Sequence, residues 1–206
     1  MPRRDVSLAS GRGPRQRRRM DAGQFVERVR DQYLVQFRGF IESMRDDGAP
    51  GAGEVVLPLS EASGVFGRRY RIDYVRQGER PEIKEFYPGR FVAFEPFTIE
   101  FGGAKATFEQ LFWNDVAIRH DLLMPPEAGL EAWFERWFDP EERRRAPDPA
   151  PAEAVHSVIV RPGMITVDFG TAEAEALWAL LAVLERAGAT AITIGGSVAG
   201  TSEGAE

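Results

Sequence analysis

VHSVIVRPGMITVDFGTAEAEALWALLAVLERAGATAITI, residues 155–194, is the stretch whose reading decides the fold. Val155–Val160 and Ile165–Phe169 are short runs rich in β-branched residues, separated by Arg161-Pro162-Gly163-Met164, and they predict a hairpin. Thr171 stands where an N-cap belongs. Leu177, Leu180, Leu181 and Leu184 then recur at three- and four-residue steps, the mark of one helical face. Gly188 sits where a left-handed residue closes a helix, and Thr190–Ile194 predicts one more strand. The unit is ββαβ. If its last strand shares a sheet with Ile165–Phe169, the pair is parallel and joined by a right-handed crossover.

Immediately upstream, residues 139–154 carry Pro140, Pro147, Pro149 and Pro151 among charges and alanines, which predicts an exposed, partly extended linker. Before it, Leu130, Trp133, Phe134, Trp137 and Phe138 define a helix with one aromatic face, opened by Pro125-Pro126 and stopped by Asp139-Pro140. Thr107 with Gln110 has the form of a capping box. That box predicts a short helix from Phe108, followed by an extended segment through Val116, Ile118 and His120.

The segment from Val55 to Phe101 predicts an antiparallel meander of four or five strands. Tyr70, Ile72 and Tyr74 alternate with Arg69, Arg71 and Asp73, so the arginines are expected on a solvated face. Ile83–Phe86, Phe91–Phe94 and Phe97–Phe101 follow as further strands, separated by turn residues such as Pro88-Gly89. Between Asp21 and Arg45, apolar residues at Val26, Val29, Tyr33, Phe37 and Met44 trace one face of a long helix, with Asp21 as its cap. The expected class is α+β: an antiparallel meander with helices packed mainly on one face, ending in the ββαβ unit. Residues 20–195 form the expected single domain, with two lobes at 20–124 and 125–195 as the alternative. Residues 1–19 read as a disordered basic arm and 196–206 as a flexible tail.

Composition bounds the function. The chain has no cysteine and two histidines, His120 and His156, and its only lysines are Lys84 and Lys105. Thiol nucleophiles, thiolate metal sites and disulfides are therefore absent from its chemistry. A surplus of arginine, alanine, glycine and proline matches the composition of a GC-rich bacterial genome. Residues 1–19 hold seven arginines against Asp5 alone, so the remainder is more acidic than the net charge of −6 suggests. Such a body repels phosphate backbones, which argues against nucleic acid and for a protein partner with a basic surface. No stretch approaches the roughly 20 apolar residues of a membrane span, and the expected location is cytoplasmic.

The densest group of catalytic residue types runs from Trp113 to Asp121. Asp115 orienting His120, with Arg119 holding an anion, would give a small-molecule or hydrolase site. Adjacent residues on a strand face opposite ways, so His120 cannot simply pair with Asp121. Trp133 and Trp137 are candidates for partner binding, because Trp is enriched at interface hot spots, although their spacing is also that of a core face. Asp168, at a strand end before a helix, lies where α/β ligands bind but also where capping carboxylates stand. Gly195-Gly196-Ser197-Val198-Ala199 approaches a nucleophile elbow, without the last glycine, a following helix or partners. No carboxylate or histidine spacing marks a metal site, and no cofactor is implied. The chain leans away from catalysis and toward a non-enzymatic protein-interaction module.

Overall fold

The computed structural model describes residues 21–46, 48, 50–144 and 150–197. Along the chain these form helix α1 (Ala22–Asp46), strands β1 (Gly51–Pro58), β2 (Arg69–Arg76), β3 (Glu82–Lys84), β4 (Phe97–Phe101), β5 (Ala104–Phe108) and β6 (Val116–His120), and helix α2 (Glu127–Trp137). The hairpin β7 (Ser157–Arg161) and β8 (Met164–Asp168), helix α3 (Glu175–Arg186) and β9 (Ala191–Gly196) complete them. The arm expected at 1–19 lies outside the described residues, as does the expected tail beyond Ser197. Gly196, read as the first residue of that tail, instead completes β9 and is buried.

The fold is α+β, with two sheets. β1, β2 and β3 form an antiparallel sheet in that order, and the other six strands form a mixed sheet ordered β4-β5-β9-β6-β8-β7. Ala106, Phe108, Ile118, Ile165, Ile192 and Ile194 are register partners or alternate neighbours, so they share one face of the large sheet, and all are buried. Helices cover this face. Phe25 of α1 meets Phe97 and Phe108 edge-on, Trp178 of α3 lies against Phe101 and Phe108, and Trp133 of α2 donates its indole N–H to the Ala176 carbonyl at 2.8 Å. The opposite face carries Lys105, Thr107, Arg119, Thr166 and Thr193, all exposed or half-buried. Helices on one side and polar residues on the other match the expected layering.

Some local expectations hold and others give way. β9 shares the large sheet with β8 and runs parallel to it, as expected, with β6 inserted between them and antiparallel to both, so the crossover through α3 skips a strand. The parallel neighbour of β9 is β5. The Thr107–Gln110 capping box starts no helix, because Ala104, Ala106 and Phe108 have the two-residue period that buries them as a strand. Phe91–Phe94 forms no strand either. The side chain of Gln36 on α1 accepts from the Gly89 and Arg90 N–H groups and donates to the Arg90 carbonyl, so the chain entering this segment is held on the helix. Thr171 does not cap α3, which begins at Glu175. Gly188 does adopt the left-handed conformation expected at the helix end, with φ of 96°.

The segment expected as an exposed linker at 139–154 is anchored at both ends. Asp139, Pro140, Ala152 and Ala154 are buried, and Asp139 accepts the Arg143 and Arg144 N–H groups. β2 departs most from its expected pattern, because Arg71, Ile72, Asp73 and Tyr74 are all buried. Its outer face is covered where the two sheets meet. There the Arg71 N–H donates to the His156 carbonyl at 2.9 Å, and Val65 bridges Ile159.

Candidate functional site

The junction of the two sheets holds a cluster of charges. Glu54 stands across from Asp73, between the paired Gly53–Tyr74 and Val55–Ile72, with φ of 52°. Two carboxylates facing each other across a ladder repel. Between them lies His156, fully buried, with Nε2 3.1 Å from Glu54 Oε1 and Nδ1 3.0 Å from Asp73 Oδ1. The first is a hydrogen bond; the second is a close ionic contact without hydrogen-bond alignment. Both carboxylates accept further hydrogen bonds. Thr171 Oγ1 and the Ala152 N–H donate to Glu54, and the Phe86 N–H donates to Asp73 Oδ2 at 2.7 Å. Arg71 sits alongside, donating to the carbonyls of Glu54 and Phe138 and to Glu142, with its guanidinium over the Phe138 ring.

Asp168 extends the cluster from the end of β8. It accepts the Gly170 N–H at 2.8 Å, and its carbonyl takes the His156 N–H. Gly170 has φ of 50°, and a Cβ placed there would lie 2.0 Å from the His156 ring. Only glycine fits this close approach. Phe37 of α1 closes the other side of the imidazole, edge-on at 5.8 Å.

Electrostatics follow from this packing. Burial alone pulls the His156 pKa down, but Asp73 and Glu54, with Asp168 beyond, overcome it and raise it to about 10. Burial pushes Glu54 upward, and its bonds to His156, Thr171 and Ala152 reverse this and leave it below the usual range. Asp168 has less direct compensation, one hydrogen bond from the Gly170 N–H. Burial raises it to about 7, partly offset by His156 and reinforced by Asp73. Tyr33 is pushed well up by burial and by the same carboxylates. The buried His156 imidazolium joins β1, β2, the 152–156 segment and the 168–171 turn.

The residues singled out in the sequence lie elsewhere and do not converge. Asp115 and His120 bracket β6, about 16 Å apart at roughly 3.3 Å per residue. Asp115 accepts the Ser197 N–H, and Asp121 holds Thr190 through its N–H and hydroxyl. Arg119 points to the face opposite His120, over Gly195. His120 is buried, and neither ring nitrogen has a partner among the described residues. Burial lowers its pKa, with Asp121 pulling the other way. Trp133 and Trp137 are each 4 % exposed and belong to the core. Gly195 and Gly196 lie inside β9.

Glu54, Asp73 and His156 escape sequence reading because each sits on a segment whose charged positions look solvated. One signal existed: His156 has the same strand parity as Val158, which is inward-facing. Among the described residues no group of histidines and carboxylates is arranged to hold a metal ion, and no helix is long and apolar enough to cross a membrane.

At the surface, residues 85–92 lie along α1. Tyr87 is 76 % exposed and Phe91 51 %, the latter braced edge-on against Phe112 at 4.7 Å. The narrow crevice beneath is lined by Gln32, Tyr33, Arg90, Phe91, Trp113 and Asn114 among others. The chain matches no protein-family model, no curated protein and no solved structure.

Proposed function

We propose that this protein is a non-catalytic binding module that docks a protein partner through the aromatic loop at residues 85–92. The observation that carries this reading is that Tyr87 and Phe91 are presented to solvent on a backbone fixed by three Gln36 hydrogen bonds. Large rigid aromatic side chains on a preorganised backbone lose little entropy on binding. Arg90, another residue type favoured at hot spots, lies between them. The net charge of −6 steers partners with basic surfaces toward the module at long range. We take the module to act in the cytoplasm.

The test compares wild type with a Tyr87→Ala/Phe91→Ala double variant, each immobilised and exposed to lysate of the source organism. The variant stays folded, with a loss of about 1 kcal/mol or less from the Phe91–Phe112 contact, and loses at least one retained protein with about a 30-fold drop in affinity. Identical retained sets would sink the proposal.

A small-molecule or hydrolase site near Trp113–Asp121 is the second reading, and one observation favours it. Asp168 is half-buried with a pKa raised to about 7, and it feels the charge of Asp115. In that reading Asp168, not His120, moves the proton. Turnover of an ester or phosphoester panel that rises or falls through pH 7, and is lost in Asp168→Asn, would establish it.

A further inference from the structure

The first turns of α1 and the chain entering β4 enclose a second surface feature, distinct from Tyr87 and Phe91. Helical spacing places Phe25 and Arg28 on neighbouring turns of one face. Opposite them, Val92-Ala93-Phe94-Glu95-Pro96-Phe97 runs beside the helix; Pro96 keeps Glu95 extended and has no N–H for a ladder. Three rings form the bed. Phe25 meets Phe94 at 4.5 Å and Phe97 at 5.3 Å, and Phe94 meets Phe97 at 5.8 Å, all edge-to-face. Between these rings, Val92 and Ala93 lies a groove of 240 Å³, with Arg28 as its single charged lining residue.

Two magnitudes define what fits. Sites for drug-sized ligands span about 300–1,000 Å³, so a groove of 240 Å³ takes one alkyl chain or one ring rather than a folded peptide segment. Arg28 is exposed and makes no ion pair or hydrogen bond among the described residues. One free guanidinium beside an otherwise apolar bed complements one negative charge, which it can grip bidentately if the anion is a carboxylate. A dianion would meet the same single cation on a body of net charge −6, which disfavours it.

We propose that this groove binds a small hydrophobic monocarboxylate, its chain or ring against Phe25, Phe94 and Phe97 and its carboxylate on Arg28. Titration of the full chain with octanoate, followed by calorimetry and by amide shifts, tests the site. One saturable site is expected, with the largest shifts at Phe25, Ala93 and Phe97. Arg28→Gln weakens octanoate about tenfold without changing the denaturation midpoint, and octan-1-ol binds wild type about tenfold more weakly than octanoate. Ala93→Trp, which fills the groove from its exposed side, abolishes binding. The Tyr87→Ala/Phe91→Ala variant keeps it, which separates this site from the aromatic loop. Absence of saturable binding, equal affinity for octanol, or full affinity in both Arg28→Gln and Ala93→Trp would overturn the proposal.

Discussion

His156 and His120 are both buried, but the regions around them are built on different principles. His156 sits where the small sheet meets the large one, among Glu54, Asp73 and Asp168, with Arg71 close by. His120 ends a strand of the large sheet whose inward face is otherwise Val116 and Ile118, and no partner reaches its nitrogens among the described residues. The two environments shift the histidines in opposite directions: carboxylates stabilise the charged form of His156, and burial disfavours the charged form of His120. The lesson is that burial alone does not set the state of a titratable group. The partners that come with burial decide it.

The largest expected effect tests the charged region. Glu54→Ala leaves the His156 imidazolium short of one partner and strips Thr171 and the Ala152 N–H of their acceptor. Removing one member of a buried pair costs about 3–5 kcal/mol, measured as a fall in urea-denaturation free energy. A loss below about 1 kcal/mol would mean that the cluster contributes little and the contrast with His120 is empty.

The pH dependence of stability sharpens the comparison, because the two histidines act with opposite sign. The folded pKa of His156 is raised from 6.5 to about 10, so its contribution is complete below 6.5 and is lost as pH rises through 10. The folded pKa of His120 is lowered from 6.5, so stability is lost as pH falls through that value. Glu54, lowered from 4.5, adds a further loss at more acidic pH. Asp168, raised from 3.8 to about 7, works the other way: its folding cost develops as pH rises from 3.8 to 7. The denaturation midpoint is expected to fall as pH rises from about 7 to about 10 in wild type. That alkaline limb should be preserved in His120→Leu; a His120→Leu protein lacking it would assign the limb to the wrong histidine.

Smaller effects probe the apolar region. Ile118→Val, beneath the helices, should cost about 0.5–1.5 kcal/mol through a lost methylene and its cavity. His120→Leu removes two buried nitrogens that have no hydrogen-bond partner among the described residues, and it is expected to be neutral or to stabilise by up to about 1 kcal/mol near pH 6, where the cost of keeping the ring neutral has begun. A clear loss in thermal stability would show that His120 has a role in the fold that its lack of partners among the described residues conceals.

Local periodicity made the elements of one region legible and left the other hidden. The leucine stripe of α3, the aromatic face of α2, the long amphipathic α1 and the 157–168 hairpin all follow from spacing within a few residues. The same reasoning failed at β2, where Arg71 and Asp73 alternate like solvated positions yet face a second layer of protein. It failed again at Phe91–Phe94, where apolar residues with strand propensity follow a backbone that Gln36, more than 50 residues away, holds at Gly89 and Arg90.

The sequence by itself determined the α+β class, the order of most helices and strands, and which face of each regular element is apolar, because those depend on the 3.6- and two-residue periods of the backbone. Tertiary structure alone decided that β6 would part β8 from β9, and that Glu54, Asp73, His156 and Asp168 would meet. The physical reason is range. A period reports how one segment divides apolar from polar, whereas a buried charge is tolerated only through partners delivered from elsewhere, in this case a carboxylate 102 residues away from its histidine.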